Sequence, residues 1–449
     1  MGSATKPQTT AMHNTSPTKF AWPAVIVVSI IPVILWAGMM PLTVRFSSPA
    51  IALGSIGKIA GLVAIVLYCV NLLFSTRARV IEQLFGGLNK AYVAHHLTGG
   101  IALCLALLHP LALSLKLAES SLHAAALQLL PNFADLAITL GVLGLWLFIG
   151  LMIVTFFIKL PYKIWLTTHK FMGLAFLLIA LHVVLISSDT SRSPLLYWYL
   201  MSWIVIGAAS YIYRTLLPRF LVRRYEYEVA ETGMVAPGTA RLVLKPKHDS
   251  MGFESGQFVF VSFQGEGLSH EWHPFTVSSN STYPGIAITV KALGAYTSTL
   301  AKLAPSMKGM TVLVEGAYGR FSFRNFPAKK QIWIAGGIGV TPFLSMISEV
   351  PDDYHVDFYY SVKTPSEMVD YSAIVNVAAK HSKSVRFFPV ITDKDGFLTA
   401  DKVAKAAEGL KDTEILICGP PPMMHAMTEQ FVKKGVPKSK IHTEEFSMS

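Results

Sequence analysis

Residues 94–109, AHHLTGGIALCLALLH, and residues 168–182, THKFMGLAFLLIALH, decide how the chain is read. Each is apolar, with a histidine near either end: His95 (or His96) and His109 in the first, His169 and His182 in the second. An ionisable side chain at membrane depth is expensive and marks a functional site by default. A single membrane histidine more often hydrogen-bonds a neighbouring helix or lines a proton path. Four in two matched pairs point to two haems stacked across a bilayer, each held by one histidine from each helix. Two imidazoles leave no open position on the iron, which suits electron transfer.

Helical geometry refines the ligand choice. Fourteen residues put the two levels roughly 20 Å apart along the axis. Position 14 returns to within about 40° of the start, and position 13 misses by about 140°. His95 is fourteen residues before His109 and His96 thirteen, so His95 is the expected ligand. His169 and His182 are also thirteen apart. Either that helix is wound irregularly, or the haems approach it from different sides. His123 falls in an outer loop and is expected to be solvated.

The chain has 449 residues, 52% of them hydrophobic, and a net charge of +11. The apolar excess lies in the first half. Six runs reach the roughly 20 residues that a helix needs to cross a bilayer: 22–42, 51–74, 92–114, 135–158, 166–187 and 195–214. Pro23 and Pro32 are expected to kink the first. Residues 1–21 are polar and lack the apolar core of a signal peptide, so a disordered cytoplasmic tail is expected. The basic surplus clusters at Arg77, Arg79 and Lys90, at Lys159 and Lys163, and at Arg214, Arg219, Arg223 and Arg224. Six spans put all three clusters on one side, which the positive-inside rule makes cytoplasmic, with both termini. The opposite loops carry Arg45, Lys116, Glu119, Asp189 and Arg192. No basic stripe with interleaved aromatics suggests nucleic acid. Cys69, Cys104 and Cys418 suggest neither a disulfide framework nor a zinc site.

The two histidine stretches, each with a glycine four residues after the first histidine (Gly99 and Gly173), resemble the ferric reductase and NADPH oxidase family of transmembrane flavocytochromes. A glycine there would let a flat macrocycle approach the backbone. The resemblance implies that His95 and His169 share an inner haem b, and that His109 and His182 share an outer one.

Residues 222–326 read as short strands, among them TARLVLKP, GQFVFVSF and GIAITVKAL, which suggests a small barrel. Three motifs in it resemble the ferredoxin-reductase superfamily. In His273-Pro274-Phe275-Thr276, the resemblance packs Phe275 on the isoalloxazine of FAD, brings the Thr276 hydroxyl to its reactive nitrogen and faces His273 to the pyrophosphate. Gly294-Ala295-Tyr296-Thr297 resembles the turn that holds the diphosphate, with Thr297 opening a helix and Lys291 as an added cation. Gly316-Ala317-Tyr318-Gly319-Arg320-Phe321 matches the closing turn.

Residues 330–449 alternate strand and helix. In QIWIAGGIGVTPFLSMI, Gly336, Gly337 and Gly339 let the backbone approach a phosphate at a helix N-terminus, with Thr341 offering a hydroxyl. Pro342 suits the first helical turn. The pattern is not GxGxxG but the alternative of the ferredoxin-reductase type. The same resemblance sets Cys418-Gly419-Pro420-Pro421 beside the nicotinamide and Ser361 and Lys363 at the adenine ribose, with NADPH slightly preferred to NADH. It also makes Phe446 a cap on the flavin. Thr276, Cys418 and Phe446 are thus the expected catalytic residues.

The expected architecture is multi-domain: a six-helix transmembrane bundle over 22–216, a flavin-binding β-barrel over 220–326 and an α/β nucleotide-binding domain over 330–449. The implied function is electron transfer from cytoplasmic NAD(P)H through FAD and two haems to an acceptor on the outer face of a bacterial-type membrane. Dioxygen, giving superoxide, is the expected acceptor. The alternatives are ferric iron and another periplasmic protein. Animal-type oxidases carry a further histidine one turn beyond the outer ligand, where this chain has Leu113. No convincing catalytic triad is seen, and no calcium-binding repeat.

Overall fold

Six helices carry the six apolar runs: Phe20–Ala37, Pro49–Phe74, Leu88–Ala118, Leu136–Phe157, Tyr162–Leu185 and Pro194–Leu216. All are long and apolar enough to cross a membrane. In this computed structural model the described residues are 18–445. Phe446 and most of the polar tail lie outside them. The chain divides into two units, with the boundary between Val222 and Arg223.

In the first unit the opening helix runs unbroken through Pro23 and Pro32. The third span is longer than its apolar run. It starts after Gly87 and continues through Pro110. Small residues let the second and third spans meet closely. A Cβ added to Gly57 would lie 2.9 Å from the His109 carbonyl oxygen and 3.2 Å from the Ala112 Cβ. Polar groups between these spans are paired, as a water-free interior requires. The Asn71 side-chain amide donates to the His95 carbonyl and, at 3.1 Å, to Thr98 Oγ1.

The fifth span is two helices, Tyr162–Lys170 and Met172–Leu185, joined at Phe171. The Leu174 N–H turns back to the Phe171 carbonyl at 2.9 Å, three residues away, so the regular four-residue ladder is interrupted there. Of the two alternatives for the thirteen-residue histidine spacing, irregular winding is the one observed.

The second unit opens with a curled antiparallel sheet of six strands: β1 (Tyr225–Ala236), β2 (Thr239–Pro246), β3 (Phe258–Phe263), β4 (His273–Thr276), β5 (Ile286–Lys291) and β6 (Thr311–Tyr318). Their order is β4-β3-β6-β1-β2-β5. A bridge between Val277 and Ile288 draws the two edges together. Alternate residues such as Tyr227 and Val229, Val261 and Phe263, and Val312 and Val314 fill its interior.

A parallel sheet follows: β7 (Lys330–Gly336), β8 (His355–Val362), β9 (Val385–Ile391), β10 (Glu414–Cys418) and β11 (Ile441–Glu444), ordered β11-β10-β7-β8-β9. Both faces are covered, as parallel sheets require. Trp333, Ala335, Phe358 and Tyr360 pack on one side with Phe343 and Ile374. Ile332, Ile334, Ile415 and Ile417 pack on the other with Val403 and Phe431. Glu349 ties this sheet to the barrel. Its Oε1 accepts from Ser255 Oγ at 2.7 Å, Ser281 N at 2.6 Å and Ser281 Oγ at 2.7 Å. Its Oε2 sits 2.9 Å from Arg324.

Candidate functional site

The third and fifth spans bring their histidines together in two pairs. The ring centres of His95 and His169 are 6.2 Å apart, and those of His109 and His182 are 6.5 Å apart. A metal–imidazole bond is about 2 Å, and a ring nitrogen lies about 1 Å from its ring centre. Two rings bound to one iron therefore have centres about 6 Å apart. Both observed separations fit. His96 is exposed, with its ring centre 5.9 Å from that of His95.

The other ring nitrogens are held as well. Ring nitrogens that bind iron are oriented by a hydrogen bond on the other nitrogen. His95 Nδ1 lies 3.0 Å from the Asn71 carbonyl, His109 Nδ1 2.7 Å from that of Gly57 and His182 Nδ1 2.7 Å from that of Ala137. In each case Nε2 is left for a ligand. His169 differs: its Nδ1 is buried without a partner, and its ring stacks on Trp165 with centres 5.2 Å apart. Gly61 and Gly141 make room for the outer rings, since a Cβ on either would come within 2.8 Å of His109 Nδ1 or His182 Nδ1. A cavity of about 270 Å³ lies between these rings, walled by Leu62, Ala106, Leu113 and Phe148. Among the described residues, no group of three or more His, Cys, Asp or Glu is placed to hold one metal ion.

The expected role of Gly99 and Gly173 is corrected. A Cβ on Gly99 would meet Asn71, and one on Gly173 would fall inside the ring of Tyr211. Both glycines make room for side chains of neighbouring spans. Sequence reading also missed a cluster on the same cavity. Asp189 Oδ2 accepts from Trp36 Nε1 and Lys58 Nζ, each at 2.8 Å, and lies 3.4 Å from Arg45. Arg45 is buried, with its guanidinium 3.6 Å from the Trp36 ring centre. Burial works against the Asp189 carboxylate, but the Lys58 and Trp36 hydrogen bonds prevail and hold its pKa below the usual value.

In the second unit the fold joins motifs that are separate in sequence. His273, opening β4, stacks on Tyr296 from the helix Ala295–Leu303 after β5, with ring centres 3.6 Å apart. The Tyr296 hydroxyl is buried without a hydrogen-bond partner, and the buried His273 Nε2 meets only the Glu271 carboxylate, at 3.4 Å. Burial lowers the His273 pKa more than Glu271, 3.4 Å away, raises it. A buried polar group without a partner calls for an explanation, and the Tyr296 hydroxyl is such a group, on the ring stacked against His273 at the start of the strand that carries buried Phe275 and Thr276. Thr297 is otherwise engaged: its Oγ1 accepts from the Leu293 and Gly294 amides at 3.0 Å. It therefore shapes its own turn. Lys291 is paired with Glu367 at 3.4 Å.

The two glycine turns of the parallel sheet also meet. A Cβ on Gly336 would strike Met423 and Pro420, and one on Gly339 would strike the Cys418 carbonyl. Those two glycines serve this packing. Gly337, at φ +53°, faces open space. Thr341 Oγ1 donates to the Ile338 carbonyl at 3.1 Å, and Pro342 is buried behind it. Ser361 is buried at the end of β8 and Lys363 is exposed just beyond. Cys418 is 0% exposed. Burial, with Glu444 nearby, pushes its thiol pKa up. Cys418 packs in the core of the sheet, and Pro420 stands exposed beside buried Gly419.

Comparison with known proteins bears on the domains. Residues 60–180 match the family described as ferric reductase like transmembrane component. Residues 228–322 match an FAD-binding domain and residues 333–429 an oxidoreductase NAD-binding domain. The chain is a transmembrane NAD(P)H/FAD oxidoreductase with a ferric reductase-type domain. The stachydrine N-demethylase reductase subunit Stc4 of Rhizobium meliloti is 28% identical to this oxidoreductase over 43% of its chain and 58% of the relative. Ferric reduction oxidase 7, chloroplastic, of Arabidopsis thaliana is 31% identical over 34% of the chain and 22% of the relative. The chain thus spans little more than half of the first relative and less of the second. A ferredoxin NADP+ reductase from Neisseria gonorrhoeae overlays 50% of the oxidoreductase and 100% of its own chain, at 21% identity and a TM-score of 0.43.

Proposed function

We propose that this oxidoreductase carries electrons from cytoplasmic NAD(P)H through FAD and two b-type haems to an acceptor on the outer face, with dioxygen as that acceptor and superoxide as product. When bound, the flavin divides a hydride's two electrons and the haems pass them on singly. His95 and His169 would hold the inner haem, and His109 and His182 the outer one. The backbone carbonyls of Asn71, Gly57 and Ala137 fix three of these rings with Nε2 free. Phe275, Thr276, His273 and Tyr296 would line the flavin, and the Gly294 turn would supply amides to its diphosphate. Gly337 and the helix that follows would take the nucleotide phosphate, and the Gly419-Pro420 turn would flank the nicotinamide. Even span number and the three basic clusters support placing both ends in the cytoplasm.

The observation that carries this reading is the pair of ring separations, 6.2 and 6.5 Å, at two levels of the same two spans. A second reading, reduction of ferric iron as an anionic chelate, is favoured by Arg45 and Lys58. They place two positive charges against one Asp189 carboxylate, and Lys58 and Asp189 line the outer cavity.

Purified protein given NAD(P)H tests both. Dismutase-sensitive cytochrome c reduction supports the oxidase, and turnover only with ferric citrate supports the reductase. Turnover with neither refutes both readings and points to a protein acceptor.

A further inference from the structure

The break in the fifth span leaves the Lys170 carbonyl without the donor a regular helix would give it. The Leu174 N–H, which a regular helix would aim at the Lys170 carbonyl, bonds to Phe171 instead. Tyrosines from two other spans supply donors. The Tyr211 hydroxyl, at the end of the sixth span, donates to the Lys170 carbonyl at 2.8 Å. The Tyr68 hydroxyl, from the second span, adds a bond at 2.8 Å to the carbonyl of Met172, the first residue of the next helix. A carbonyl without a partner at membrane depth is costly, so the Tyr211 donor favours the broken form over one in which Lys170 is left unpaired.

Gly173 completes the device. Any side chain there would occupy the place of the Tyr211 ring, which reaches Lys170 only because position 173 has none. Past Tyr211, the chain winds as a π-helical turn over Ile212–Leu216 and then leads out of the membrane unit. Such turns occur where a helix must present a side chain out of register.

His169 is the residue next to Lys170. It is also the one histidine of the four whose Nδ1 has no hydrogen-bond partner. Its ring direction is therefore set by Trp165 and by the path of the backbone. A straight helix would turn His169 away from the face of His182 by about 140°. The break removes that misfit.

We propose that Tyr211 is a positioning residue for the inner metal ligand: by holding the Lys170 carbonyl in the broken helix, it aims His169 at His95. This rests on the haem reading above. It assigns Tyr211 no contact with cofactor or substrate.

The test compares full-length wild type, Y211F, G173A and, as control, Y199F. Tyr199 lies in the same span and donates its hydroxyl to a backbone carbonyl, that of Val28, away from the histidines. The readouts are haem per protein, low-spin electron paramagnetic resonance and redox titration. H169A identifies the inner component. In Y211F the inner component should shift in g-values and potential while the outer one stays in place. In G173A the ratio should fall from two haems towards one. Y199F should match wild type. Y211F indistinguishable from wild type, or both components moving equally in Y211F and Y199F, overturns the assignment. Wild type that binds no haem overturns the underlying reading as well, and is recognised before any variant is made.

Discussion

Replacing Gly61 by alanine acts directly on the outer ligand. The new Cβ would lie 2.8 Å from His109 Nδ1 and 3.1 Å from its Cε1. An ordinary contact is about 3.6 Å, so the ring must retreat by about 0.8 Å. The bond from Nδ1 to the Gly57 carbonyl is 2.7 Å, and that retreat would stretch it to about 3.5 Å, beyond useful hydrogen-bond length. The lost bond is worth about 1 kcal/mol. Overpacking adds about 1–3 kcal/mol. Removing an outer-shell partner commonly lowers metal affinity about 10- to 100-fold, and the structural sum is consistent with at least that. The assay is haem per protein by pyridine haemochrome, before and after challenge with apomyoglobin as a haem scavenger. G61A should lose one haem to the scavenger while the other is retained, and G141A, which crowds His182 in the same way, should lose the same one. Gly150, whose Cβ would meet nothing within 4 Å, is the control, and G150A should keep both. If G61A holds both haems as firmly as wild type, the histidine ring is not the group this glycine accommodates.

Three further outcomes are expected. Because Asp189 is ionised more readily in the folded protein than in the unfolded chain, its stabilisation is full above the unfolded pKa and is lost as pH falls through the folded one. D189N should lower the melting temperature at pH 7, by about 2 kcal/mol of stability, and narrow its gap to wild type in acid melts; an unchanged gap at all pH values would refute this. Y296F, which removes a buried hydroxyl without a partner, should weaken FAD retention about fivefold if that hydroxyl meets the flavin. Flavin fluorescence after dialysis measures it, and retention equal to wild type places the hydroxyl elsewhere. C418A should cost about 1 kcal/mol of stability through lost packing yet leave flavin reduction by NAD(P)H within a few-fold; abolished reduction at normal stability would restore a chemical role to the thiol.

Much of the architecture was legible because it follows from periodicity. Apolar runs long enough for a bilayer are unmistakable, and alternating strands such as TARLVLKP need no tertiary information. The choice of His95 over His96 came from helical angle alone. The same angular rule could not place His169, because the carbonyl released by the break before Phe171 is met by the Tyr211 hydroxyl, which is distant in sequence. The glycines show the same limit. Gly99 and Gly173 were read by their distance from a histidine, but the space a glycine leaves belongs to whatever faces it, here Asn71 and Tyr211. Gly61 and Gly141 carried no local signal at all. Thr297 and Thr341 were read as offering hydroxyls outward, yet local capping bonds engage both. Asp189 looked like a loop charge because Lys58 and Arg45 meet it only in the folded bundle. A lysine inside the second apolar run was the available signal.

Haem counting in single-histidine variants tests the central pairing most directly. H95A and H169A should each lose the same haem, H109A and H182A should each lose the other, and the two reduced-minus-oxidised difference spectra should add up to that of wild type. Four variants that keep the full haem complement, or losses that group the histidines by helix and not by level, would contradict the pairing.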